Sequence, residues 1–225
     1  LENEWRVAIK KVEDGVFSRF ANEKLQQGDI LELMPPVGKF NTELNPLHQK
    51  NYTAFAAGSG ITPVLSLIKT TLALEPKSNF TLVFGNKNRH SIIFFEELEG
   101  LKNKYMDRFN LIHVLSREKT DIPLNFGRIT IEKLTELERL VDYDTTDEFF
   151  ICGPEDMIFC VRDFLTARGI NKKNIHFELF TSPGQQKKVT KVQPGTVNTG
   201  PQSTVTIKLD GRSFDFTLPL SGDTT

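Results

Sequence analysis

The stretch Ala54-Phe-Ala-Ala-Gly-Ser-Gly-Ile-Thr-Pro63 decides the fold of this chain, and an amphipathic run at residues 64–74 follows it. A short apolar strand leads into Gly58-Ser59-Gly60, and a helix is predicted from Pro63 to Leu74. Backbone amides at a helix N-terminus, beside glycines that let a ligand approach closely, bind pyrophosphate groups. The stretch therefore predicts a strand–turn–helix unit with a phosphate site.

The rest of the central region repeats the same unit. Short apolar runs typical of buried strands lie at residues 53–57, 80–84, 109–115, 148–152 and 175–179. Helical patterns lie between them, at residues 63–74, 92–104, 129–140 and 154–168. Five short buried strands separated by helices predict an α/β fold with a doubly wound, five-stranded parallel sheet.

The segment before this region has a different pattern. Residues 5–12 and 30–34 are predicted to be strands, and Ser18 is predicted to N-cap a short helix through Leu25. Strand, short helix, strand and a Pro/Gly turn suit the end of an antiparallel β-barrel. A polar stretch at residues 41–51 marks a boundary, which predicts a barrel part at residues 1–43 and a second domain at residues 44–180.

The C-terminal part reads as a linker followed by a hairpin. Residues 181–203 are rich in Pro, Gly, Gln, Ser and Thr, a composition typical of linkers. Two alternating runs at residues 204–209 and 213–218 flank Asp210-Gly211, the dipeptide favoured in two-residue hairpin turns. Because a lone hairpin is marginal in water, residues 204–225 are predicted to begin a further domain.

Composition excludes several functional classes. The net charge of −1 gives no general attraction to nucleic acid or to anionic membranes, and no apolar run is long enough to span a membrane. The two cysteines, Cys152 and Cys160, have no metal-ligand spacing, so no metal site is expected in this chain. So few cysteines favour a reducing, cytoplasmic setting over a disulfide framework.

The chemistry is predicted at the carboxyl ends of the strands, where open α/β sheets bind ligands. No acidic residue closes the second strand, where many NAD enzymes bind the ribose 2′-hydroxyl. Lys87 and Arg89 follow that strand and Arg117 follows the third, so the cations suit a 2′-phosphate, which arginine binds bidentately. This pattern favours NADP(H) over NAD(H).

Some of these features have a plainer interpretation. The glycine turn has Pro63 in place of the third glycine of the dinucleotide fingerprint, so alone it is equally consistent with a bare structural turn. Exposed cations after strands are usually only solvated. Cys152 is either a small core residue or a residue facing a cofactor. It is not proposed as a nucleophile, because no histidine is obviously paired with it.

Four stretches together resemble the ferredoxin–NADP reductase family, in order and in spacing. They are Gly58-Ser-Gly-Ile-Thr-Pro63, Gly85-Asn86, Ser116-Arg117-Glu118 and Cys152-Gly-Pro-x-x-Met157. The N-terminal stretch Gly15-Val16-Phe17-Ser18 resembles the family's second flavin motif, whose amides and serine hydroxyl bind the FAD pyrophosphate. The resemblance covers essentially the whole chain.

The resemblance implies a flavoprotein reductase that uses NADP(H) and FAD. Hydride would pass from nicotinamide to flavin close to Thr62, Cys152 and Glu178. The residues that it implies bind cofactors are Gly15, Val16, Phe17, Ser18, Gly58, Gly60, Ile61, Thr62, Gly85, Asn86, Lys87, Arg89, Ser116, Arg117, Cys152, Gly153, Pro154, Met157 and Phe180.

Within that family, the domain order resembles the reductase subunits of phenylacetyl-CoA epoxidase complexes. The resemblance implies an oxygenase or epoxidase partner and a plant-type [2Fe–2S] domain whose cysteines follow residue 225. The main flavin motif, Arg-x-Tyr-Ser, would precede Leu1, so we expect the chain to be a fragment. The alternatives are a ferredoxin or flavin reductase with another acceptor, and a flavin-free nucleotide-binding fragment without activity.

Overall fold

The computed structural model describes residues 6–35 and 37–179, and the two strands at residues 202–209 and 212–219. By their contacts, residues 1–180 and residues 181–225 form two compact units. In the described part of the chain, no helix is long and apolar enough to cross a membrane.

The first unit contains a five-stranded, all-parallel sheet, which confirms the predicted fold class. The order of strands across the sheet is β3-β2-β1-β4-β5. Strands β2 and β3 are added on one side of β1, and β4 and β5 on the other side, which places helices on both faces of the sheet. The strands are β1 (Asn51–Ala57), β2 (Asn79–Asn86), β3 (Phe109–Leu115), β4 (Glu148–Gly153) and β5 (Ile175–Leu179).

Four helices cover the two faces of this sheet. Successive strand residues face opposite sides, so Ala54 and Ala56 of β1 belong to one core cluster and Phe55 to the other. The first cluster includes side chains of α2 and α3, and the second includes those of α4 and α5. The helices are α2 (Ile61–Leu74), α3 (Phe95–Lys104), α4 (Ile131–Glu136) and α5 (Glu155–Ala167), and a further helix, α1 (Val16–Glu23), precedes the sheet.

The predicted helices exist, but some of their limits differ. Helix α2 begins two residues before Pro63, because a 3₁₀ turn at Gly58–Gly60 continues directly into it. Proline is tolerated there, since amides of a first helical turn have no intrahelical acceptor. Helix α3 begins later than residue 92, after a 3₁₀ turn at Arg89–Ser91. Helix α4 ends at Glu136 and continues as a 3₁₀ turn.

Arg108 closes the C-terminal end of α2. Its guanidinium donates to the main-chain carbonyls of Leu72 and Glu75 at 2.9 Å and to that of Ser78 at 2.9 Å. Helix C-termini leave carbonyl groups without intrahelical partners. This one side chain therefore satisfies acceptors at the end of α2 and in the turn that leads to β2.

The N-terminal segment differs from the prediction. Residues 6–12 and 30–34 belong to no strand, so both strand predictions are wrong for the described residues. A strand is held by hydrogen bonds to a neighbouring strand, and none is described before β1. Several apolar side chains of this segment are exposed, Ile30 with 93% and Met34 with 86% of their surface. The assignment of residues 1–43 to a flavin barrel stays a prediction.

The second unit contains the predicted hairpin. Strands β6 (Gln202–Leu209) and β7 (Arg212–Pro219) pair antiparallel, in a register that places Leu209 opposite Arg212. The prediction of two strands is confirmed, with a start two residues earlier than expected. The turn at Asp210-Gly211 and most of the predicted linker, residues 181–201, lie outside the described residues.

Candidate functional site

The turn after β1 contains one glycine that leaves space open to a ligand and another that allows close packing of the protein. Gly58 has a φ of +53°, a left-handed conformation that favours glycine, and a Cβ at this position would meet no atom within 4 Å. A Cβ on Gly60, in contrast, would lie 2.1 Å from the carbonyl oxygen of Cys152. Gly58 therefore leaves the space in front of α2 open, whereas Gly60 lets the helix start pack against the end of β4.

Among the described residues, no side chain caps the N-terminus of α2. The hydroxyl of Thr62 donates to the carbonyl oxygen of Ser59 at 3.1 Å, which fixes the turn but occupies none of the helix amides. Ile61 is fully buried and anchors the helix in the core. The backbone N–H of Ile61 donates to the carbonyl oxygens of Gly58 and Ser59. Among the described residues no side-chain acceptor competes for the positive end of the α2 dipole, which suits an anion.

The end of β4 lies directly beside this turn. A Cβ on Gly153 would lie 2.8 Å from Cε of Met157 and 3.1 Å from the backbone nitrogen of Ala57, so this glycine allows close packing between β4, β1 and α5. Pro154 is the N-cap residue of α5. The backbone of the Cys152-Gly-Pro-x-x-Met157 stretch therefore packs closely against the turn after β1.

The thiol of Cys152 is a core group in this structure. It is 0% exposed and packs in the cluster that includes Ala56 and Ile61. Burial, with a contribution from the negative charge of Glu178, raises the pKa of Cys152 to about 12, so the thiol is neutral at physiological pH. A neutral, buried thiol is a poor nucleophile. Its predicted contact with a nicotinamide stays a prediction.

The turns after β2 and β3 are joined by three hydrogen bonds. Two of them continue the pattern of the parallel ladder beyond the strands, and the third uses a side chain. The bonds run from Ser116 N to Asn86 O (2.9 Å), from Arg117 N to Lys87 O (2.8 Å) and from Arg89 N to Glu118 Oε2 (2.8 Å).

Charge is unbalanced at these two turns. Lys87 and Arg117 are exposed, and neither makes an ion pair with any residue in the described part of the chain. The guanidinium of Arg89 instead lies over the ring of Phe95, at 5.0 Å from its centre. The two free cations are held in adjacent turns by the backbone bond between them, as a phosphate site requires.

Asn86 is one of the described residues whose buried polar side-chain atoms lack a hydrogen-bond partner. The side chain is 8% exposed, and neither its amide nitrogen nor its amide oxygen has a partner among the described residues. A buried amide without partners costs about 1–3 kcal/mol, and native structures seldom keep such groups without a functional reason. Asn86 ends β2, so this amide lies at the edge of the sheet where the other candidate residues are.

The last strand contributes Glu178, which pairs in register with Cys152. Glu178 also lines a shallow groove with Lys39, Phe40 and His176. Phe180 lies outside the described residues, so the structure neither supports nor contradicts its predicted role.

The predicted flavin residues form the start of α1, and one detail differs from the prediction. Gly15, not Ser18, is the N-cap residue, because the helix begins at Val16. The hydroxyl oxygen of Ser18 accepts a hydrogen bond from Val12 N at 3.2 Å, and a Cβ on Gly15 would lie 2.3 Å from that oxygen. No side chain caps this helix. Glycine, uncapped amides and a hydroxyl are compatible with a pyrophosphate, and the flavin assignment of residues 15–18 stays a prediction.

The sequence did not predict a role for Glu118 or for Gly60 as a packing residue. Glu118 is quoted in the Ser116-Arg117-Glu118 stretch, but its acceptor role depends on an amide 29 residues earlier, which leaves no local pattern. Among residues 6–35 and 37–179, no group of three or more His, Cys, Asp or Glu side chains is placed to bind a metal ion.

Comparisons with known proteins identify the kind of domain that carries these strand ends. Residues 55–163 match the family described as oxidoreductase NAD-binding domain. The chain is 42% identical over 97% of its length to one of the subunits of 1,2-phenylacetyl-CoA epoxidase from Escherichia coli, covering 60% of that protein. It is 29% identical over 95% of its length to the ferredoxin reductase component of 3-ketosteroid-9-alpha-monooxygenase from Rhodococcus rhodochrous, covering 58% of it.

Solved structures of reductases have a fold similar to that of this chain. The NAD⁺ form of the CS-b5R domains of human Ncb5or superposes with a TM-score of 0.65 at 26% identity, over 75% of this chain and 47% of that one. Ferredoxin–NADP⁺ reductase from Plasmodium falciparum with 2′P-AMP gives a TM-score of 0.60 at 25% identity, over 74% of this chain and 66% of that one. The resemblance to the ferredoxin–NADP reductase family predicted from the motifs is thereby confirmed, and residues 55–163 match the family of oxidoreductase NAD-binding domains.

Proposed function

We propose that this chain belongs to an NADPH-dependent flavoprotein reductase. Electrons would pass from NADPH through FAD and a [2Fe–2S] centre to the di-iron oxygenase component of a phenylacetyl-CoA epoxidase complex. The observation that carries the proposal is the carboxyl edge of the sheet. There a helix start without a side-chain cap, a buried amide without a partner and two cations without an ion pair, as far as the described residues show, lie at the ends of three adjacent strands.

The nucleotide fits this edge group by group. The amides at the start of α2, reached over Gly58, suit the pyrophosphate. Lys87 and Arg117 suit the 2′-phosphate that distinguishes NADPH from NADH, since both are exposed and free of carboxylate partners in the described residues. Of the two related structures, one is an NAD⁺ form and the other is described with 2′P-AMP, so the preference rests on the cations of this chain.

The redox chemistry itself belongs to the cofactors, because nicotinamide supplies a hydride that flavin accepts and passes on as single electrons. The proposed task of the protein is to fix distance and to exclude water. Thr62 holds the turn on which the nicotinamide would lie, Glu178 would border the flavin, and the buried Cys152 would pack beneath the site. Residues 15–18 would bind the FAD pyrophosphate.

The proposed partner rests on the names of the relatives. The E. coli protein belongs to an epoxidase, and the Rhodococcus protein is a component of a monooxygenase. The chain spans about 60% of the length of these curated relatives. The [2Fe–2S] centre, the phenylacetyl-CoA pathway and a cytoplasmic location are therefore parts of the proposal.

Two alternatives remain distinguishable. A ferredoxin or flavin reductase with another acceptor is disfavoured by the β6–β7 hairpin, because a simple reductase would end soon after β5. A flavin-free nucleotide-binding fragment is favoured by one observation, the absence of described strands from residues 6–35 and 37–50. A yellow preparation with a flavin spectrum, and electron transfer to a purified phenylacetyl-CoA epoxidase, would exclude both.

The cofactor preference is tested by Arg117→Ala. Loss of a charge-assisted, bidentate contact should raise the KM for NADPH roughly 10- to 100-fold and leave the KM for NADH nearly unchanged, measured with ferricyanide as acceptor. Arg139→Ala, an exposed arginine that follows α4 rather than a strand, is the matched control and should change neither. An equal loss with both nucleotides would contradict the 2′-phosphate assignment.

A further inference from the structure

Glu118 is the one side chain that crosses between the turns after β2 and β3 among the described hydrogen bonds. Its Oε2 accepts the backbone N–H of Arg89 at 2.8 Å. Arg89 is the first residue of the 3₁₀ turn Arg89–Ser91, a position at which a backbone amide has no acceptor within the turn. Glu118 therefore supplies from another strand the acceptor that this amide needs.

The other end of the same turn is fixed separately. The side chain of Asn88 accepts from Ser91 N at 3.0 Å, and the hydroxyl of Ser91 donates to the carbonyl oxygen of Asn88 at 2.7 Å. These bonds shape the turn internally but do not attach it to β3. Beyond the bond from Arg117 N to Lys87 O, attachment to the neighbouring turn depends on Glu118.

Hydrogen bonds between the two turns lie on both sides of Lys87 and Arg117 along the chain. The bond between Ser116 and Asn86 precedes them and the bond between Glu118 and Arg89 follows them. Lys87 and Arg117 lie between these two bonds, joined by their own backbone. Without Glu118, two backbone bonds among the described hydrogen bonds would still join the turns, but both lie at or before the cations. We therefore expect the spacing between Lys87 and Arg117 to depend in part on Glu118.

We propose that Glu118 is a positioning residue for a 2′-phosphate, which rests on the proposed use of NADPH. Its carboxylate does not touch the phosphate, since a carboxylate has only acceptors and carries like charge. It fixes the backbone that carries Lys87 and Arg117 and so sets the distance at which both reach one phosphate group.

The inference makes different predictions for two substitutions of Glu118. Glu118→Ala removes the acceptor, whereas Glu118→Gln removes the charge but keeps an amide oxygen that can accept from Arg89 N. A positioning role requires the acceptor. A role of the charge alone, for example in weakening the two cations, would be lost equally in both variants.

The test is calorimetric titration of the whole chain with 2′-phospho-AMP and with AMP, which needs no flavin. We expect Glu118→Ala to weaken binding of 2′-phospho-AMP about tenfold and that of AMP less than about twofold. We expect Glu118→Gln to bind 2′-phospho-AMP as tightly as the natural chain or more tightly. Asp121→Ala, an exposed carboxylate in the same loop, is the matched control and should change nothing.

Three results would overturn the inference. Equal weakening of both nucleotides in Glu118→Ala would indicate a general structural role, and equal losses in the Ala and Gln variants would indicate a role of charge. In both cases the proposed function survives, because the natural chain still prefers 2′-phospho-AMP. If the natural chain binds AMP and 2′-phospho-AMP equally, the NADPH preference fails and the inference fails with it.

Discussion

The two edges of the parallel sheet treat polar groups in opposite ways. At the amino edge, two carboxylates are surrounded by donors, and every one of their described partners belongs to the fold. At the carboxyl edge, the amide of Asn86 and the charges of Lys87 and Arg117 have no protein partner in the described residues. Polar groups therefore serve stability at one edge, while at the other they are left available to a ligand.

Glu75 is the carboxylate of the amino edge with the most hydrogen-bond donors. This fully buried carboxylate accepts four hydrogen bonds, which hold its pKa below the usual range although burial opposes this. Two of the donors come from the segment that leads into β1. The donors are Asn45 N (3.0 Å), His48 Nδ1 (2.8 Å), the hydroxyl of Tyr52 (3.0 Å) and the hydroxyl of Ser78 (2.7 Å).

Glu148, the first residue of β4, is the second carboxylate of this edge. Lys50 Nζ lies 2.5 Å from Oε1 and His176 Nε2 lies 3.2 Å from Oε2, and Thr42 adds a hydrogen bond. Burial works against ionisation, but these three partners outweigh it and lower the pKa of Glu148 to about 2. Together, Glu75 and Glu148 fasten residues 42–50 to the nucleotide-binding domain.

The largest loss of stability is expected when the carboxylate of Glu75 is removed from the amino edge. Glu75→Ala leaves four donors without their acceptor and should lower the free energy of unfolding by about 4 kcal/mol, measured by urea denaturation. Glu43→Ala, an exposed glutamate of the same segment, should stay within about 0.5 kcal/mol of the natural chain. A loss for Glu75→Ala as small as this control would show that water replaces the carboxylate.

A smaller loss of stability is expected when acid protonates Glu148. A pKa lowered to about 2 from 4.5 means that Glu148 contributes on the order of 3 kcal/mol to stability above pH 4.5. That contribution is lost as the pH falls from 4.5 through about 2, because the unfolded chain binds the proton first. Unfolding by urea at several pH values in this window should show a shallower fall for Glu148→Gln than for the natural chain. Parallel curves would contradict the ion-pair account.

The smallest effect on stability is expected at the carboxyl edge, where Asn86→Val replaces an unpartnered amide. The free energy of unfolding should stay the same or rise by up to about 1 kcal/mol, since an unsatisfied buried polar group is removed. Nucleotide affinity, measured by calorimetry with 2′-phospho-AMP, should fall. A clear loss of stability instead would mean that an ordered water already satisfies the amide, and the contrast between the two edges would weaken.

Much of the parallel sheet could be predicted because its strands are buried on both faces and read as unbroken apolar runs. Residues 109–115 and 175–179 match the observed strands at both ends. The candidate site could be predicted as a set of turns, because parallel strands bring their carboxyl ends to one edge. The contacts of Glu118 with Arg89 and of Gly60 with Cys152 could not be predicted, since the two residues of each contact lie far apart in the chain.

The N-terminal segment shows the opposite case. Alternation at residues 6–12 predicts a strand only if a neighbouring strand accepts and donates its hydrogen bonds. Cys152 shows how a strand-end position leaves two interpretations open. Its side chain belongs to the core cluster that includes Ala56 and side chains of α2, and its contact with a cofactor stays a prediction. Local pattern describes what a segment can pair with, and the fold decides whether it does.

Arg108 has a consequence for the electrostatics of α2. A helix carries partial positive charge at its first turn and partial negative charge at its last. The guanidinium of Arg108, hydrogen-bonded to the carbonyls of Leu72 and Glu75, quenches the negative pole, while the positive pole beside Gly60 keeps no side-chain cap. The carbonyl groups at the end of the helix thus have partners within the protein, whereas its first turn is directed at the edge where an anionic nucleotide would bind.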